Sequence, residues 1–197
     1  MYIICHRINT LEKLWSIPVD FGVEVDLRSH LNDIIINHEP FEKGILFEKW
    51  LEYYNHKFLI LNIKEDGIEN KVLKIIKNNN IKNYFLLDQS FPYLIKSLFS
   101  GENNTAIRIS EYESIDTAIK LSKYGKWIWI DFFTKFPLDK YQYNLLKSLN
   151  FKLCIVSPEL QGHNLKFTKK ILKDLRTNGY TFEAVCTKYP ILWKSYN

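Results

Sequence analysis

The stretch from residue 22 to residue 28 is GVEVDLR, in which apolar and charged residues alternate. Because successive side chains of a β-strand point to opposite faces, Glu24 and Asp26 lie on one face and Val25 lies on the other. A short run of this kind is typical of a buried strand in a parallel sheet. The two acidic side chains are therefore expected to point inward together, with Val25 packed outward.

Seven further runs have the same character: they are brief, rich in β-branched or aromatic residues, and bounded by polar residues. Together the strand candidates are residues 2–6, 22–27, 58–63, 83–87, 105–109, 126–130, 152–156 and 183–186. Stretches with helical periodicity separate most of them, and in one such stretch Ile68, Val72 and Ile75 share a helix face. Eight strands alternating with helices predict an α/β fold, a compact (β/α)8 TIM barrel.

A doubly wound open sheet has the same local pattern and is the alternative fold. An extra extended run at residues 33–37 follows the second strand, and we interpret it as an excursion that carries His38 over the barrel mouth. No linker rich in Pro, Gly or Ser interrupts the chain, so residues 1–197 are expected to form a single domain.

The composition is that of an ordinary globular protein, with 46% hydrophobic and 25% charged residues. The formal net charge of +5 is mild and its lysines are scattered, so no nucleic-acid partner is expected. The usual nucleotide-binding glycine motifs are missing, and no apolar segment has the length of a membrane span.

The three cysteines lie inside apolar runs, which predicts buried reduced thiols. Since no signal-peptide pattern is present, we expect a cytoplasmic protein.

Polar residues cluster at the carboxyl ends of the predicted strands, where the sites of parallel α/β proteins lie. Besides Glu24 and Asp26, they are His6, Arg7, Arg28, Asn62, Lys64, Asp88, Ser90, Ser110, Glu111, Asp131, Ser157 and Glu159. The sequence therefore predicts a polar site at this end of the sheet.

Glu24 and Asp26 are candidate metal ligands. Two inward carboxylates this close repel each other unless a cation or a proton lies between them. Their hard oxygen atoms favour Mg²⁺ or Ca²⁺ over zinc. The alternative interpretation is that the pair is neutralised by the neighbouring side chains of Arg7, Arg28 or Lys64.

His6 and His38 are candidate catalytic residues. His6 ends the first strand beside the strand that carries the two carboxylates, and His38 lies in the polar segment Asn37-His38-Glu39-Pro40. Two histidines can divide general base and general acid work near neutral pH. The alternative is that each is a structural, hydrogen-bonded histidine at the end of a strand.

The motifs occur in a definite order along the chain. They are Cys5-His6-Arg7, Glu24-Val25-Asp26, His38-Glu39, Asn62-Ile63-Lys64, Ser90-Phe91 and the closing segment EAVCTKYP at residues 183–190. This order resembles that of the glycerophosphodiester phosphodiesterase family, within the phospholipase C-like barrels. The resemblance spans nearly the whole chain.

The chain also departs from the family pattern. Ile8 replaces the glycine that follows His-Arg, and Asn62 replaces a third metal-binding carboxylate. The segment IVSPE at residues 155–159 replaces the usual Trp-Thr-x-Asn, and the long insertion of many members is missing. The chain thus resembles a divergent, short member of the family.

The resemblance implies a phosphoric diester hydrolase that acts in lipid metabolism on a glycerophosphodiester-like, lipid-headgroup or glycan phosphodiester. It implies that Glu24, Asp26 and Asn62 hold a weakly bound Mg²⁺ or Ca²⁺, and that His6 and His38 are the base and the acid. Arg7 and Lys64 would bind phosphate oxygens. We place Arg28, Glu111 and Asp131 in the same substrate-binding set.

Two alternative functions follow from the same residues. One is a phosphate-recognising barrel without turnover, which the loss of a third carboxylate at Asn62 favours. The other is a metal-independent lyase of the phospholipase C type, in which Arg7, Arg28 and Lys64 stabilise the charge and a cyclic phosphate forms. The retention of both histidines favours an enzyme.

Overall fold

The computed structural model describes residues 1–196. In this part of the chain the strands are β1 (Tyr2–Cys5), β2 (Gly22–His30), β3 (Asp33–Ile36), β4 (Ile45–Leu46), β5 (Leu59–Ile63), β6 (Tyr84–Leu87), β7 (Ala106–Ile109), β8 (Trp127–Ile130), β9 (Lys152–Val156) and β10 (Ala184–Thr187). The helices are α1 (Leu11–Ser16), α2 (Phe47–Leu51), α3 (Glu69–Asn78), α4 (Phe91–Phe99), α5 (Ile115–Leu121), α6 (Lys140–Ser148), α7 (Leu165–Thr177) and α8 (Pro190–Lys194). Strands and helices alternate as the sequence predicts.

The strand order identifies the fold as a TIM barrel. Parallel pairing runs from β7 through β8, β9, β10, β1, β2 and β5 to β6. The first strand therefore lies between the second and the last, which an open doubly wound sheet would not allow. The predicted barrel is confirmed, and the open-sheet alternative is wrong.

The junction between β6 and β7, which we call the seam, is the weakest join in the barrel. Leu86 and Thr105 form an isolated parallel bridge there, and the N–H of Leu86 donates to the carbonyl oxygen of Asn104 at 2.8 Å. The other neighbouring strands are joined by ladders of two to five paired residues. The seam consequently leaves space between the two strands.

The extended run after the second strand is an excursion, as predicted. β2 continues past the barrel to His30 and pairs antiparallel with β3, which pairs in turn with β4. The N–H of Asn37 donates to the carbonyl oxygen of Asp26 at 3.0 Å, so the end of β3 returns to the barrel mouth. The short β4 was not predicted.

Two apolar layers follow from the alternation of side chains along the strands. Outward residues such as Val23, Val25 and Leu27 pack against the helices. Inward aromatic residues fill the barrel, where the ring of Trp127 lies 5.2 Å from that of Phe58 and 4.9 Å from that of Phe85. Both layers are buried. The inward side chains become polar only toward the carboxyl ends of the strands.

Gly22 is required by the close approach of three strands in the barrel interior. A Cβ atom at this position would lie 2.9 Å from Cγ1 of Ile4 and 2.9 Å from the carbonyl oxygen of Phe58. Any larger residue would push β2 away from its neighbours, and Gly22 therefore fixes the position of the strand that carries Glu24 and Asp26.

The three cysteines, Cys5, Cys154 and Cys186, are buried and free, in agreement with the sequence-based expectation. Among residues 1–196, no helix combines the length and the apolar character needed to cross a membrane.

Candidate active site

A cavity of about 230 Å³ lies at the carboxyl ends of the barrel strands. Its polar lining comes from the ends of several different strands: His6, Arg7, Glu24, Asn62, Lys64, Asp88, Arg108, Asp131 and Gln161. Leu87, Trp129 and Val156 contribute to its apolar lining. Of the residues predicted from the sequence, those that line this cavity are His6, Arg7, Glu24, Asn62, Lys64, Asp88 and Asp131, whereas Asp26 is buried behind the lining.

Glu24 is a buried carboxylate of the cavity that two hydrogen bonds hold in place. It is 1% exposed, and its Oε2 accepts a 2.6 Å hydrogen bond from the backbone N–H of Arg7. Its Oε1 accepts a 2.9 Å bond from Nδ2 of Asn62. Burial, together with the negative charge of Asp26, raises the pKa of Glu24 above its ordinary value.

Asp26 lies one inward position further along β2 and is fully buried. Asn9 binds it twice, because Nδ2 of Asn9 donates to Oδ2 at 2.7 Å and the N–H of Asp26 donates to Oδ1 of Asn9 at 3.1 Å. Nε of Arg7 lies 3.5 Å from Oδ2, and Nζ of Lys64 lies 3.4 Å from Oδ1. Two cations therefore flank this carboxylate.

His6 is placed beside Glu24, with 3.9 Å between its Nε2 and Oε2 of the carboxylate. Burial, helped by the positive charge of Arg7, lowers the pKa of His6 to about 4. The imidazole is therefore neutral at pH 7. Its Nδ1 is buried without a hydrogen-bond partner.

Two residues at the cavity have left-handed backbone conformations. Arg7 has φ of 56° and Asp88 has φ of 58°. Such values are uncommon for residues other than glycine and cost on the order of 1 kcal/mol each. At Arg7 the conformation turns the N–H toward Glu24, so the strain is coupled to the hydrogen bond that orients this carboxylate.

A second ion cluster, centred on Arg108, forms the opposite side of the cavity. The guanidinium pairs closely with Oδ1 of Asp88, and its Nη1 lies 3.1 Å from Oδ2 of Asp131. Lys64 connects this cluster to Asp26, because its Nζ also lies 3.4 Å from Oδ2 of Asp88. Nε2 of Gln161 donates to Oδ1 of Asp131 at 2.8 Å.

A larger cavity of about 510 Å³, the seam cavity, adjoins the first one. Both cavities are lined by Leu87, Asp88 and Arg108, so these residues form the partition between them. The rest of the seam cavity lining is mixed: Gln89, Phe91, Leu94, Ala106, Ile107, Glu113, Ser114 and Thr117. The seam cavity thus lies at the short β6–β7 junction, next to the candidate active site.

His38 and Arg28 lie at the rim of the barrel mouth and are not among the residues that line the cavity. Arg28 holds the backbone, because its Nε and Nη2 donate to the carbonyl oxygen of His38 at 3.1 and 2.9 Å. Its Nη1 donates to the carbonyl oxygen of Lys64 at 3.2 Å. Nδ1 of His38 lies 2.6 Å from Oε1 of Glu39. His38 therefore lies beside Arg28 and Glu39, outside the set of residues that line the cavity with His6.

Glu111 also lies away from the cavity lining, where its carboxylate binds the turn after β8. It accepts bonds from the N–H groups of Phe133, Thr134 and Lys135 at 3.2, 2.6 and 2.7 Å. Burial acts to raise its pKa, but these hydrogen bonds outweigh burial and lower the pKa of Glu111 to about 2. The placement of Glu111 is that of a residue that orders a loop.

Arg108 and Gln161 belong to the cavity but were not predicted. Arg108 had a readable signal, because a charged residue stands two positions after Ala106 in an otherwise apolar strand and so shares its inward face. Gln161 had none, since it lies in the 3-10 turn Pro158–Gln161 and reaches Asp131 only through tertiary packing.

The oxygen atoms of Glu24, Asp26 and Asn62 suit a hard divalent cation. Within residues 1–196, no three His, Cys, Asp or Glu side chains are arranged to hold a metal ion, so an amide oxygen would have to be the third donor. Oδ1 of Asp26 and Oδ1 of Asn62 are both buried and accept no hydrogen bond. The set would offer a cation two formal charges instead of three. Arg7 and Lys64 already lie within 3.5 Å of the Asp26 carboxylate, as the alternative interpretation of this pair expects.

Comparison with solved structures adds to this geometry. A glycerophosphodiester phosphodiesterase from Agrobacterium tumefaciens str. C58 matches with a TM-score of 0.71 and 11% identity, over 99% of this chain and 98% of that one. A glycerophosphoryl diester phosphodiesterase from Parabacteroides distasonis matches with a TM-score of 0.66 and 11% identity, over 99% and 85%. A mutant tryptophan synthase α-subunit from Pyrococcus furiosus matches with a TM-score of 0.55 and 12% identity, over 98% and 90%.

No family model and no curated protein sequence matches the chain. At 11% identity, the likeness to the two phosphodiesterases is a likeness of fold. The chain therefore has the TIM-barrel fold that the glycerophosphodiester phosphodiesterases share, and it carries its polar residues at the carboxyl end of that barrel.

Proposed function

We propose that the protein cleaves a phosphodiester in the cavity at the carboxyl end of the barrel. One observation carries the proposal: His6 lies beside Glu24 in a cavity that is also lined by the cations Arg7, Lys64 and Arg108. A neutral imidazole can take a proton, and the three cations can hold the anionic phosphate. The fold neighbours, which are named as phosphodiesterases, support this choice of reaction.

The cations would bind the phosphate and stabilise the charge that develops on it. A guanidinium can bind two phosphate oxygens as a fork, whereas the Lys64 ammonium acts as a point charge. Lys64 is bonded at 3.4 Å to both Asp26 and Asp88, which fixes its ammonium group between the two carboxylates. Preorganised charges of this kind are usually the largest contribution to transition-state stabilisation.

His6 would act as the general base. Its imidazole would accept the proton of the nucleophile, which is either water or a hydroxyl group of the substrate. Attack by water gives a phosphomonoester directly, whereas attack by a neighbouring hydroxyl gives a cyclic phosphate first. Glu24 would position His6 and is itself oriented by Arg7 and Asn62.

Glu24, Asp26 and Asn62 would hold a divalent cation, Mg²⁺ or Ca²⁺. A bound cation supplies positive charge that polarises a phosphoryl oxygen. The supporting observation is that Oδ1 of Asp26 and Oδ1 of Asn62 are buried and accept no hydrogen bond, although Nζ of Lys64 lies 3.4 Å from the Asp26 atom and would have to share it. With only two formal charges in the set, the affinity would be low, with a dissociation constant of about 10⁻³ M.

The substrate would be a small phosphodiester of the glycerophosphodiester type. The small volume of the first cavity, about 230 Å³, suits the phosphate and its immediate neighbours. The alcohol that leaves would extend into the seam cavity, since Asp88 and Arg108 border both spaces. Arg28 and His38 would act at the rim, where the substrate enters.

The test is turnover of bis-p-nitrophenyl phosphate with Mg²⁺, with Ca²⁺ and with a chelator. We expect hydrolysis by the wild type, a large loss in His6→Ala, and unchanged activity in His30→Ala, since His30 is exposed at the far end of β2. Binding of inorganic phosphate without any turnover would instead support the phosphate-recognising barrel. Full activity in chelator would support the metal-independent lyase.

A further inference from the structure

The charges around Arg108 do not balance. Three carboxylates surround its guanidinium: Asp88 in a close ion pair, Asp131 at 3.1 Å and Glu113 at 4.0 Å. Lys64 adds a second cation beside Asp88 but is shared with Asp26. The cluster therefore has an excess of negative charge, and such an excess favours a proton on one carboxyl group.

Asp131 is the carboxyl group that bears the largest desolvation. Its side chain is 2% exposed, whereas that of Asp88 is 24% exposed and that of Glu113 is 43% exposed. Because burial disfavours the charged form, the proton is held preferentially on Asp131. In agreement, burial raises the pKa of Asp131 to about 6, against the opposing effect of Arg108.

The position of Asp131 is fixed from several sides. The groups that face it are Arg108 and Glu113 from the β7 side, Asp88 from the end of β6, Gln161 from the turn after β9 and Cys154 from β9. Gln161 donates to Oδ1 and so orients the carboxyl group. Oδ2 is buried, lies 3.1 Å from Nη1 of Arg108 and accepts no well-aligned hydrogen bond, so it is the oxygen that is free to carry the proton.

Asp131 lines the same cavity as His6, whereas His38 does not. It also adjoins Arg108, which forms part of the partition to the seam cavity. Phosphodiester cleavage needs a base for the nucleophile and an acid for the departing alkoxide. The acid should lie on the side where the alcohol leaves, which the proposed function places toward the seam cavity. Asp131 lies next to Arg108, which borders that cavity.

We propose that Asp131 is a catalytic residue, the general acid that protonates the departing alcohol. The inference rests on the proposed function. As the nucleophile oxygen bonds to phosphorus, the bond between phosphorus and the leaving oxygen breaks and its electron pair goes to that oxygen. Asp131 delivers its proton to the same oxygen, while His6 takes the proton of the nucleophile. Exchange with solvent then restores both residues.

The experiment compares two leaving groups in the Asp131→Asn variant. Bis-p-nitrophenyl phosphate releases a stable phenolate that needs no acid, whereas glycerophosphoethanolamine releases an alkoxide that does. We expect kcat/KM for glycerophosphoethanolamine to fall by about 10² to 10³, and that for the aryl diester to fall less than about tenfold. Asp88→Asn is the matched control, since it removes a charge from the same guanidinium and should affect both substrates equally.

Equal losses on both substrates in Asp131→Asn would overturn the role of Asp131 while leaving the proposed function in place. If the wild type cleaves neither diester, the proposed function itself fails, and the acid role fails with it. The pH profile of the wild type gives a second readout that needs no variant. Its kcat/KM for the alkyl diester should decline above about pH 6, while that for the aryl diester should lack this decline. A common profile for the two substrates would contradict the inference.

Discussion

The backbone N–H of Arg7 donates a 2.6 Å hydrogen bond to Oε2 of Glu24, while Nε of the same residue lies 3.5 Å from Oδ2 of Asp26. One residue at the end of β1 thus contacts both carboxylates of β2. The left-handed backbone of Arg7, with φ of 56°, makes the first contact possible because it turns the N–H into the barrel. The His6-Arg7 and Glu24-Val25-Asp26 motifs of the sequence therefore form one structural unit.

The two histidines should differ in their effect on turnover. His6→Ala should lower kcat by about 10² to 10⁴, because His6 lines the cavity next to Glu24. His38→Ala should lower it less than about tenfold, because His38 lies at the rim with Nδ1 beside Glu39. Steady-state kinetics on the aryl diester, with His30→Ala as control, measure this. A larger loss in His38→Ala than in His6→Ala would show that the rim residue takes part in the chemistry.

Restoring a third carboxylate should strengthen the cation site. Asn62→Asp removes the amide that donates to Glu24 at 2.9 Å and places a third negative charge beside Glu24 and Asp26. Without metal, the variant should have a lower Tm than the wild type because like charges repel. With Mg²⁺ or Ca²⁺, the affinity should rise at least about tenfold, which corresponds to about 1.4 kcal/mol. Calorimetry measures the cation affinity, and thermal melts in chelator and in metal measure the Tm. An unchanged affinity would argue against a cation at this position.

Asp131→Asn should stabilise the protein at neutral pH. The raised pKa, from 3.8 to about 6, means that folded Asp131 binds its proton more tightly than the unfolded chain does. Stability of the wild type should therefore fall as the pH rises through this window, whereas the amide does not titrate. The difference in unfolding free energy should grow between pH 4 and pH 7 to on the order of 1–3 kcal/mol in favour of the variant. Denaturant melts at the two pH values test this, and a variant that is weaker at pH 7 would mean that the ion pair with Arg108 dominates.

Glu111 should contribute to stability with the opposite pH dependence. Its lowered pKa means that the contribution is complete above the ordinary value of 4.5 and is lost as the pH falls toward about 2. Because Glu111 is partly exposed, we expect Glu111→Gln to cost only about 1 kcal/mol, or about 2–4 °C in Tm, at pH 7. The difference from the wild type should shrink below pH 4.5. Thermal melts with the exposed Glu42→Gln as control measure it, and a loss that persists at low pH would exclude this explanation.

Filling the seam cavity should change selectivity for the alcohol. Thr117 lines the seam cavity but not the first cavity, so Thr117→Leu adds bulk to the seam cavity. We expect KM for glycerophosphoethanolamine to rise by about threefold to tenfold, about 1 kcal/mol of lost binding. A diester with a methyl leaving group serves as the control and should be unaffected. Equal changes for both substrates would place the leaving alcohol elsewhere.

The local pattern of apolar and polar residues was sufficient to predict the barrel fold and the residues on one side of the cavity. The eight strands were predicted to within three residues of their observed bounds, because short apolar runs between amphipathic stretches carry that information locally. The placement of His6, Glu24, Asn62 and Lys64 on inward positions follows from the two-residue period of a strand. Neither inference requires knowledge of which strands are neighbours.

Only the tertiary structure decided which side chains from different parts of the chain contact one another. His38 lies at the rim because the hairpin of β2 and β3 ends there and Arg28 holds its carbonyl oxygen. Glu111 binds a turn more than twenty residues away, and Gln161 reaches Asp131 thirty residues back in the chain. The cluster of Asp88, Arg108 and Asp131 assembles from three strand ends across a seam with a single bridge. The sequence by itself determined which side chains point into the barrel, since that is a property of each strand, but contacts between strands depend on closure and packing, which no local pattern encodes.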